Sequence, residues 1–156
     1  MHPTDRLRPA LIVDDNDTYA AMLLRHFEPD GFQFDRAHSA GEGLEMLQRN
    51  GAAAYSLIIT DITMEGQTAG MRLIRQLRRE GYRGIVLAAS TGFNFPPVLF
   101  LSRFFLRLWG VDVLTPKEPL RNGKLVCVAV TAAGREFLRF RKSDRRNGTN
   151  NSAINS

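Results

Sequence analysis

Short apolar runs alternate with amphipathic runs along most of this chain, and this order constrains the fold more than any other feature of the sequence. The apolar runs are short enough to be buried strands, and the three- and four-residue spacing of apolar side chains between them indicates helices. Strands and helices that alternate in this way form right-handed βαβ units around a parallel sheet. The five predicted strands are residues 10–13, 32–37, 55–60, 85–89 and 111–114.

The predicted architecture is a doubly wound α/β fold, in which helices cover both faces of a five-stranded parallel sheet. Nearly continuous apolar strands are typical of a sheet that is buried on both sides. A chain of 156 residues suits one domain with a tail. We therefore predict one domain over residues 8–142. Residues 143–156, rich in Asn, Ser, Arg and Gly, are predicted to be a disordered tail.

Residues 125–131 fit two assignments. Their Val-rich run favours a strand, whereas the spacing of Leu125, Ala129 and Phe137 fits a helix. Of the two, we prefer the helix. The single cysteine of the chain, Cys127, lies in this run, so no intrachain disulfide can form. We interpret it as a small packed side chain, because free cysteines are usually buried in this way.

The net charge of +5 is concentrated at the end of the chain. From Arg135 onward, six Arg or Lys residues face two acidic ones, which gives that end a charge of +4. We interpret it as a solvated helix face, since no base-reading or aromatic motif that would favour nucleic acid accompanies it. The sequence shows neither a signal-peptide pattern nor an apolar run long enough for a membrane span, and we expect a cytoplasmic protein.

Chemically useful side chains follow four of the predicted strands. Asp14 and Asp15 follow the first, Asp61 the third, Ser90 the fourth and Lys117 the fifth. Ligands of open parallel sheets bind outside the carboxyl ends of the strands. Each of these residues alone has an ordinary explanation as a helix cap, a turn or a surface charge. Their joint occurrence at consecutive strand ends indicates a single site.

Three carboxylates that converge in one pocket repel one another, and a bound Mg²⁺ relieves this repulsion because it prefers oxygen ligands. A carboxylate can also attack phosphorus and form an aspartyl phosphate. The charge of the phosphoryl oxygens then has to be neutralised, for which Mg²⁺, a lysine ammonium and a hydroxyl are suitable.

Three segments of the chain resemble the receiver domain of bacterial response regulators. They are Leu-Ile-Val-Asp-Asp-Asn at 11–16, Ile-Ile-Thr-Asp-Ile-Thr-Met at 58–64 and Gly-Val-Asp-Val-Leu-Thr-Pro-Lys at 110–117. Their order and spacing carry the resemblance, which implies the flavodoxin-like receiver fold. It also implies that Asp61 is the phosphoacceptor, with Mg²⁺ held by Asp14, Asp15, Asp61 and the backbone carbonyl of Thr63.

By the same resemblance, Lys117 pairs with the phosphoryl group and Ser90 is the switch hydroxyl, although Thr91 could take that role. The chain departs from the family pattern in several places, including the following three. Glu65 stands where proline is usual, an insertion occupies residues 93–97, and Leu114 replaces the aromatic switch residue. A switch that couples the hydroxyl to an aromatic ring cannot operate with leucine.

The implied function is that of a single-domain response regulator in a two-component phosphorelay. A histidine kinase or a histidine phosphotransfer protein would supply the phosphoryl group. The chain would not be an enzyme, apart from catalysing its own phosphorylation and dephosphorylation. Two alternatives remain: a degenerate receiver that acts as a protein-binding or dimerisation module, and a truncated DNA-binding transcriptional regulator. A phosphatase of the haloacid dehalogenase class would need an acid where Thr63 stands.

One predicted helix, beginning near Pro97, is apolar around most of its circumference. Large exposed apolar patches usually mark partner surfaces, although burial in the core explains such a helix equally well. We predict that it takes part, with the C-terminal segment, in a homodimer or a partner complex. The predicted interface residues are Phe104, Phe105, Leu108 and Trp109.

Overall fold

The computed structural model describes residues 7–62, 68–91 and 104–152, with side chains up to residue 145 in the last range. Its strands are β1 (Arg8–Val13), β2 (Phe32–Ala37), β3 (Leu57–Asp61), β4 (Ile85–Ser90), β5 (Val113–Pro116) and β6 (Val128–Ala129). Its helices are α1 (Asp17–Phe27), α2 (Ala40–Asn50), α3 (Ala69–Arg79), α4 (described over 104–109), α5 (Glu118–Arg121) and α6 (Ala132–Ser152). Two short 3₁₀ helices cover Glu28–Asp30 and Ala52–Ala54.

The strands form one sheet in the order β2-β1-β3-β4-β5-β6. The first five strands are parallel, and β6 runs antiparallel to β5. The chain therefore changes direction across the sheet between β1 and β3. Their carboxyl ends, Val13 paired with Thr60, lie at the switch point where ligands of such sheets bind. The predicted doubly wound parallel fold is confirmed.

Both faces of the sheet are covered, because successive strand residues enter different cores. Leu11 and Ile58 pack beneath α2 and α3, together with Leu73 and Leu77. On the other face, Ile12 packs with α1 and α6 in a cluster that is rich in aromatic rings. Its members include Phe27, Phe32, Phe34 and Phe137.

The sheet has six strands rather than the predicted five, and residues 125–131 correct the preferred helix. Residues 124–127 have no regular structure, and α6 begins only at Ala132. Val128 pairs with Leu114, and Ala129 pairs with Val113. The free edge of β5 offers backbone partners to this Val-rich run, and pairing with it outweighs the local helical spacing.

The C-terminal helix continues through the boundary expected at residue 143. Helix α6 extends to Ser152, and two of its residues beyond that boundary bind the body of the domain. Arg145 Nε lies 2.7 Å from Asp30 Oδ1, and Asp144 lies 3.6 Å from Arg8. Charged residues of the domain thus hold this segment, although it contains few apolar side chains. No sequence pattern reveals these charged partners. Residues 153–156 of the expected tail are outside the described residues.

An ion pair between a partly buried arginine and a buried aspartate lies at the opposite end of the sheet. Arg78 Nη2 donates to Asp112 Oδ2 over 2.5 Å, and the same guanidinium donates to the carbonyl groups of Gly110, Tyr82 and Gly84. Asp112 Oδ1 accepts a hydrogen bond from Thr131, the residue before α6. The arrangement joins the end of α3 to the beginnings of β5 and α6.

Two expectations fall at the edges of the described ranges. Helix α4 is present over residues 104–109, whereas its expected start near Pro97 and the insertion at 93–97 lie outside the described residues. Within the ranges that the structure covers, none of the helices combines the length and the apolar character that a membrane crossing requires.

Candidate functional site

The carboxyl edge of the sheet brings together the acidic residues and the lysine that the sequence predicts. Asp14 follows β1, Asp61 ends β3 and Lys117 follows β5. One carboxylate oxygen from each of Asp14, Asp15 and Asp61 lies within 4.8 Å of the others. Asp14 and Asp61 are buried, whereas Asp15 is exposed at the rim.

Lys117 lies between the two buried carboxylates. Its Nζ donates to Asp61 Oδ2 over 2.7 Å and also lies 2.7 Å from Asp14 Oδ2. Only 1% of the side chain is exposed, which is rare for a lysine unless the charge is paired. Among the described residues, the pocket therefore contains three carboxylates and one ammonium.

The contact of Lys117 with Asp14 lacks the hydrogen bond that its contact with Asp61 has. Asp14 Oδ2 is buried and has an ion pair with Lys117, yet the angles at this contact do not make a hydrogen bond. Its other oxygen, Oδ1, accepts a hydrogen bond from the backbone N–H of Asn16 over 2.9 Å. Burial raises the pKa of the Asp14 carboxyl, although Lys117 lowers it in part. Asp14 thus carries an acceptor oxygen in need of a further positive partner.

Local sequence explains how these acids are held. Asn16 is the N-cap of α1, and its side chain accepts a hydrogen bond from the N–H of Tyr19. Gly70, at the start of α3, lies so close to β3 that a Cβ there would be 2.0 Å from the carbonyl oxygen of Asp61. Only glycine permits this approach of helix and strand, so Gly70 contributes to the position of Asp61.

The donor set fits a hard divalent cation. The three carboxylates supply oxygen ligands, which Mg²⁺ prefers, and the buried Asp14 Oδ2 without a hydrogen-bond partner is an acceptor that such an ion satisfies. The fourth expected ligand, the backbone carbonyl of Thr63, lies outside the described residues.

Ser90 is buried at the end of β4, next to β5. Its carbonyl oxygen accepts a hydrogen bond from the N–H of Lys117, so strand pairing places the two residues side by side. The preceding residue, Ala89, pairs with Asp61. Thr91, the other candidate for the switch hydroxyl, is exposed. Leu114 is fully buried in the core that contains α2 and α3. A leucine has no aromatic ring and therefore cannot take the role of an aromatic switch residue.

The predicted interface residues divide by exposure. Phe104 and Leu108 expose 65% and 69% of their surface, and Phe105 is similarly exposed. Leu106 is buried and anchors α4 to the core. Trp109 is partly buried, with the guanidinium of Arg75 at 5.3 Å from its ring centre. Helix α4 therefore presents an apolar face away from the described core.

Comparison with known proteins agrees with this geometry. The family model of the response regulator receiver domain matches residues 10–95. The chain belongs to the response regulator receiver domain family. It is accordingly a receiver domain in the general setting of phosphorelay signalling. Asp14, Asp15, Asp61 and Ser90 fall within the matched range, and Lys117 falls beyond it.

Similar solved structures support the receiver fold. A response regulator receiver domain protein from Clostridium thermocellum is 17% identical, with a TM-score of 0.61, over 89% of this chain and 98% of that chain. A CheY-like response regulator receiver domain protein from Methanospirillum hungatei JF-1 is 18% identical, with a TM-score of 0.58, over 91% of this chain and 99% of that chain.

A curated relative is the uncharacterized transcriptional regulatory protein YkoG of Bacillus subtilis (strain 168). It is 28% identical over 86 residues, which are 55% of this chain and 36% of the relative. The chain thus spans about a third of the length of the curated relative that it matches.

Residues that support the site but escaped sequence reasoning include Gly70 and Arg36. Gly70 has no side chain that could react or bind a ligand. The only sequence feature that could have indicated it is a small residue at the start of a helix. Arg36 lies on β2, donates to the backbone carbonyl of Asp14 over 3.3 Å and forms an ion pair with Asp17 at 2.6 Å. Its strand supplies none of the predicted site residues, so no pattern drew attention to it.

Proposed function

We propose that this receiver domain accepts a phosphoryl group on Asp61 from a phosphohistidine of a sensor kinase or a phosphotransfer protein. A carboxylate oxygen of Asp61 forms a bond to phosphorus while the phosphorus–nitrogen bond breaks, and the imidazole that leaves takes up a proton. The observation that carries the proposal is the buried Lys117 Nζ, which lies 2.7 Å from both Asp61 Oδ2 and Asp14 Oδ2. A lysine in this place neutralises charge on the arriving phosphoryl oxygens.

Asp14, Asp15 and Asp61 would hold Mg²⁺, together with the carbonyl of Thr63. The bound ion supplies positive charge beside the phosphoryl oxygens. The residues of the chain provide the rest: Asp61 is the nucleophile, Lys117 orients it, and the buried hydroxyl of Ser90 is the candidate switch group. In this role the chain turns over only its own phosphoryl group, and the resulting aspartyl phosphate is the signal.

Phosphorylation of the intact protein tests the proposal. Incubation with acetyl phosphate and MgCl₂ should add one phosphoryl mass to the wild type. Hydroxylamine should then remove this mass, because it cleaves acyl phosphates. Asp61→Asn should not gain the mass. Asp144→Asn, which changes an acid on α6, is the matched control and should be labelled like the wild type. An unlabelled wild type, beside a labelled control receiver, would instead support the protein-binding module.

We further propose that output passes through protein contacts at α4, either to a second copy of this chain or to a partner protein. The exposed side chains of Phe104, Phe105 and Leu108, beside Trp109, support this surface because a contiguous apolar patch usually marks a partner. Sedimentation of the phosphorylated and unphosphorylated protein tests it. A folded monomeric Leu108→Glu beside a dimeric wild type is the expected result, and a monomeric wild type in both states would exclude the homodimer.

A further inference from the structure

Tyr19 lies over the ammonium group of Lys117. The Nζ atom is 4.7 Å from the centre of the Tyr19 ring, within the distance at which the negative face of an aromatic ring attracts a cation. Tyr19 is partly buried and packs against the core that α1 shares with the sheet. The ring therefore occupies one side of an ammonium group whose other partners are two carboxylates.

The position of the ring follows from the same contacts that hold Asp14. The backbone N–H of Asn16 donates to Asp14 Oδ1, and Asn16 Oδ1 accepts from the N–H of Tyr19 over 3.1 Å. Lys117 Nζ contacts both the Tyr19 ring and Asp14 Oδ2. These contacts form a closed circuit through Asp14, so the capping turn of α1 and the lysine after β5 fix each other.

We propose that Tyr19 is a positioning residue for phosphoryl transfer, which holds the Lys117 ammonium between Asp14 and Asp61; this inference rests on the proposed function. Lysine has a flexible stem and a compact charge, so its hydrogen bonds alone leave it free to rotate away from Asp61. An aromatic face attracts the ammonium without taking one of its protons, which keeps all three available to oxygen atoms. The ring also excludes water from that side.

The experiment compares replacements at position 19 by the rate of phosphorylation with acetyl phosphate and MgCl₂. Because a cation–π contact of this kind is worth about 0.5 to 2 kcal/mol, Tyr19→Leu should slow labelling roughly 2- to 30-fold. Tyr19→Phe keeps the ring and should restore most of the rate. A phenylalanine analogue with three ring fluorines keeps the shape but removes the negative face, and should be slow like leucine. Met22→Ala, a change at a partly buried residue of the same helix, controls for general loss of stability.

A second measurement does not depend on phosphorylation. The ring current of Tyr19 should shift the NMR signals of the Lys117 ε-methylene protons upfield in the wild type and in Tyr19→Phe, but not in Tyr19→Leu. An unshifted signal in the wild type would overturn the geometry. A fluorinated variant as fast as Tyr19→Phe, or a Tyr19→Leu as fast as the wild type, would overturn the role. A wild type that shows the shift but takes no phosphoryl group would remove the proposed function, and this role with it.

Discussion

Buried carboxylates at two places in this domain differ in the cationic side chains that lie beside them. Asp30, beside the end of α1, forms ion pairs with Arg141 Nε at 2.6 Å and Arg145 Nε at 2.7 Å. Asp14 and Asp61, at the carboxyl edge of the sheet, both contact the ammonium of Lys117. All three acids expose 5% of their surface or less. Among the described residues, the buried Asp30 thus has two arginine partners, whereas three acids cluster with one lysine at the edge where a cation can bind.

Asp112 belongs with Asp30 in this comparison. Its carboxylate accepts hydrogen bonds from Arg78, from the N–H of Val86 and from Thr131. A buried ion pair adds little when complete, but removal of one partner leaves an isolated charge and destabilises the protein strongly. Asp30 and Asp112, the arginine-paired acids, should therefore be the sites most sensitive to removal of their cation, whereas removal of an acid from the cluster at the sheet edge should stabilise the protein.

The largest effect should come from Arg78→Ala, which leaves Asp112 buried without its guanidinium. We expect a loss of about 3 kcal/mol or more in the free energy of unfolding, measured by urea denaturation. The exposed neighbour Arg79 provides the control, since Arg79→Ala should change stability by no more than about 0.5 kcal/mol. Equal effects of the two substitutions would contradict the assignment of Asp112 to the arginine-paired acids.

The two arginines at Asp30 should differ from each other. Arg141 is buried, lies over the Phe27 ring at 4.0 Å and donates to the carbonyl oxygen of His26. The side chain of Arg145 is 48% exposed. We expect Arg141→Ala to cost about 2 kcal/mol and Arg145→Ala less than about 1 kcal/mol, measured in parallel thermal and urea unfolding. A reversed order would mean that the terminal turns of α6 carry most of the attachment.

Asp14→Asn should stabilise the metal-free protein, because it removes one of the two buried acids that share Lys117. We expect a gain of about 1 kcal/mol at pH 7 in EDTA. Since burial raises the pKa of Asp14, its contribution to wild-type stability is full below the unfolded-state pKa and is lost as pH rises through the folded-state value. The advantage of the variant should therefore grow across that window. Urea titrations from pH 4 to pH 8 would detect it, and a less stable variant at every pH would contradict it.

The smallest change in stability should come from Asp15→Ala, because Asp15 is exposed. Relief of repulsion should raise the metal-free stability by only about 0.3 kcal/mol, while the Mg²⁺ concentration needed for half-maximal stabilisation should rise clearly. Because Asn16 rather than Asp15 caps α1, loss of a helix cap does not complicate the result. Unchanged Mg²⁺ dependence would remove Asp15 from the proposed ligand set.

Much of the fold follows from the sequence because most of the strands are apolar and four of the five predicted strands are followed by a distinctive polar residue. Runs such as residues 10–13 and 57–60 are buried on both faces, so their pattern needs no knowledge of their neighbours. Residues 125–131 could not be assigned in this way. Their conformation depends on pairing of Val128 with Leu114 at the free edge of β5, and a local pattern of apolar residues does not reveal that edge.

The same distinction applies to the site. Asp14, Asp61 and Lys117 could be predicted to meet because each terminates a parallel strand, and parallel strands share one carboxyl edge. Tyr19 and Gly70 could not, since their roles depend on an interatomic distance rather than on a residue type. The attachment of α6 was missed for a related reason: a basic, weakly apolar helix resembles a solvated tail unless the buried Asp30 beside it is known.

The pairing of Asp30 with Arg141 joins residues 111 positions apart, and this distance has a kinetic meaning. During synthesis, β1 and α1 leave the ribosome well before the arginines that neutralise the acid beside them. Contacts so remote in sequence require closure of a long loop and form slowly. We therefore expect the docking of α6 to be a late folding event, which converts a nascent chain with an open aromatic face on α1 and β2 into the finished domain.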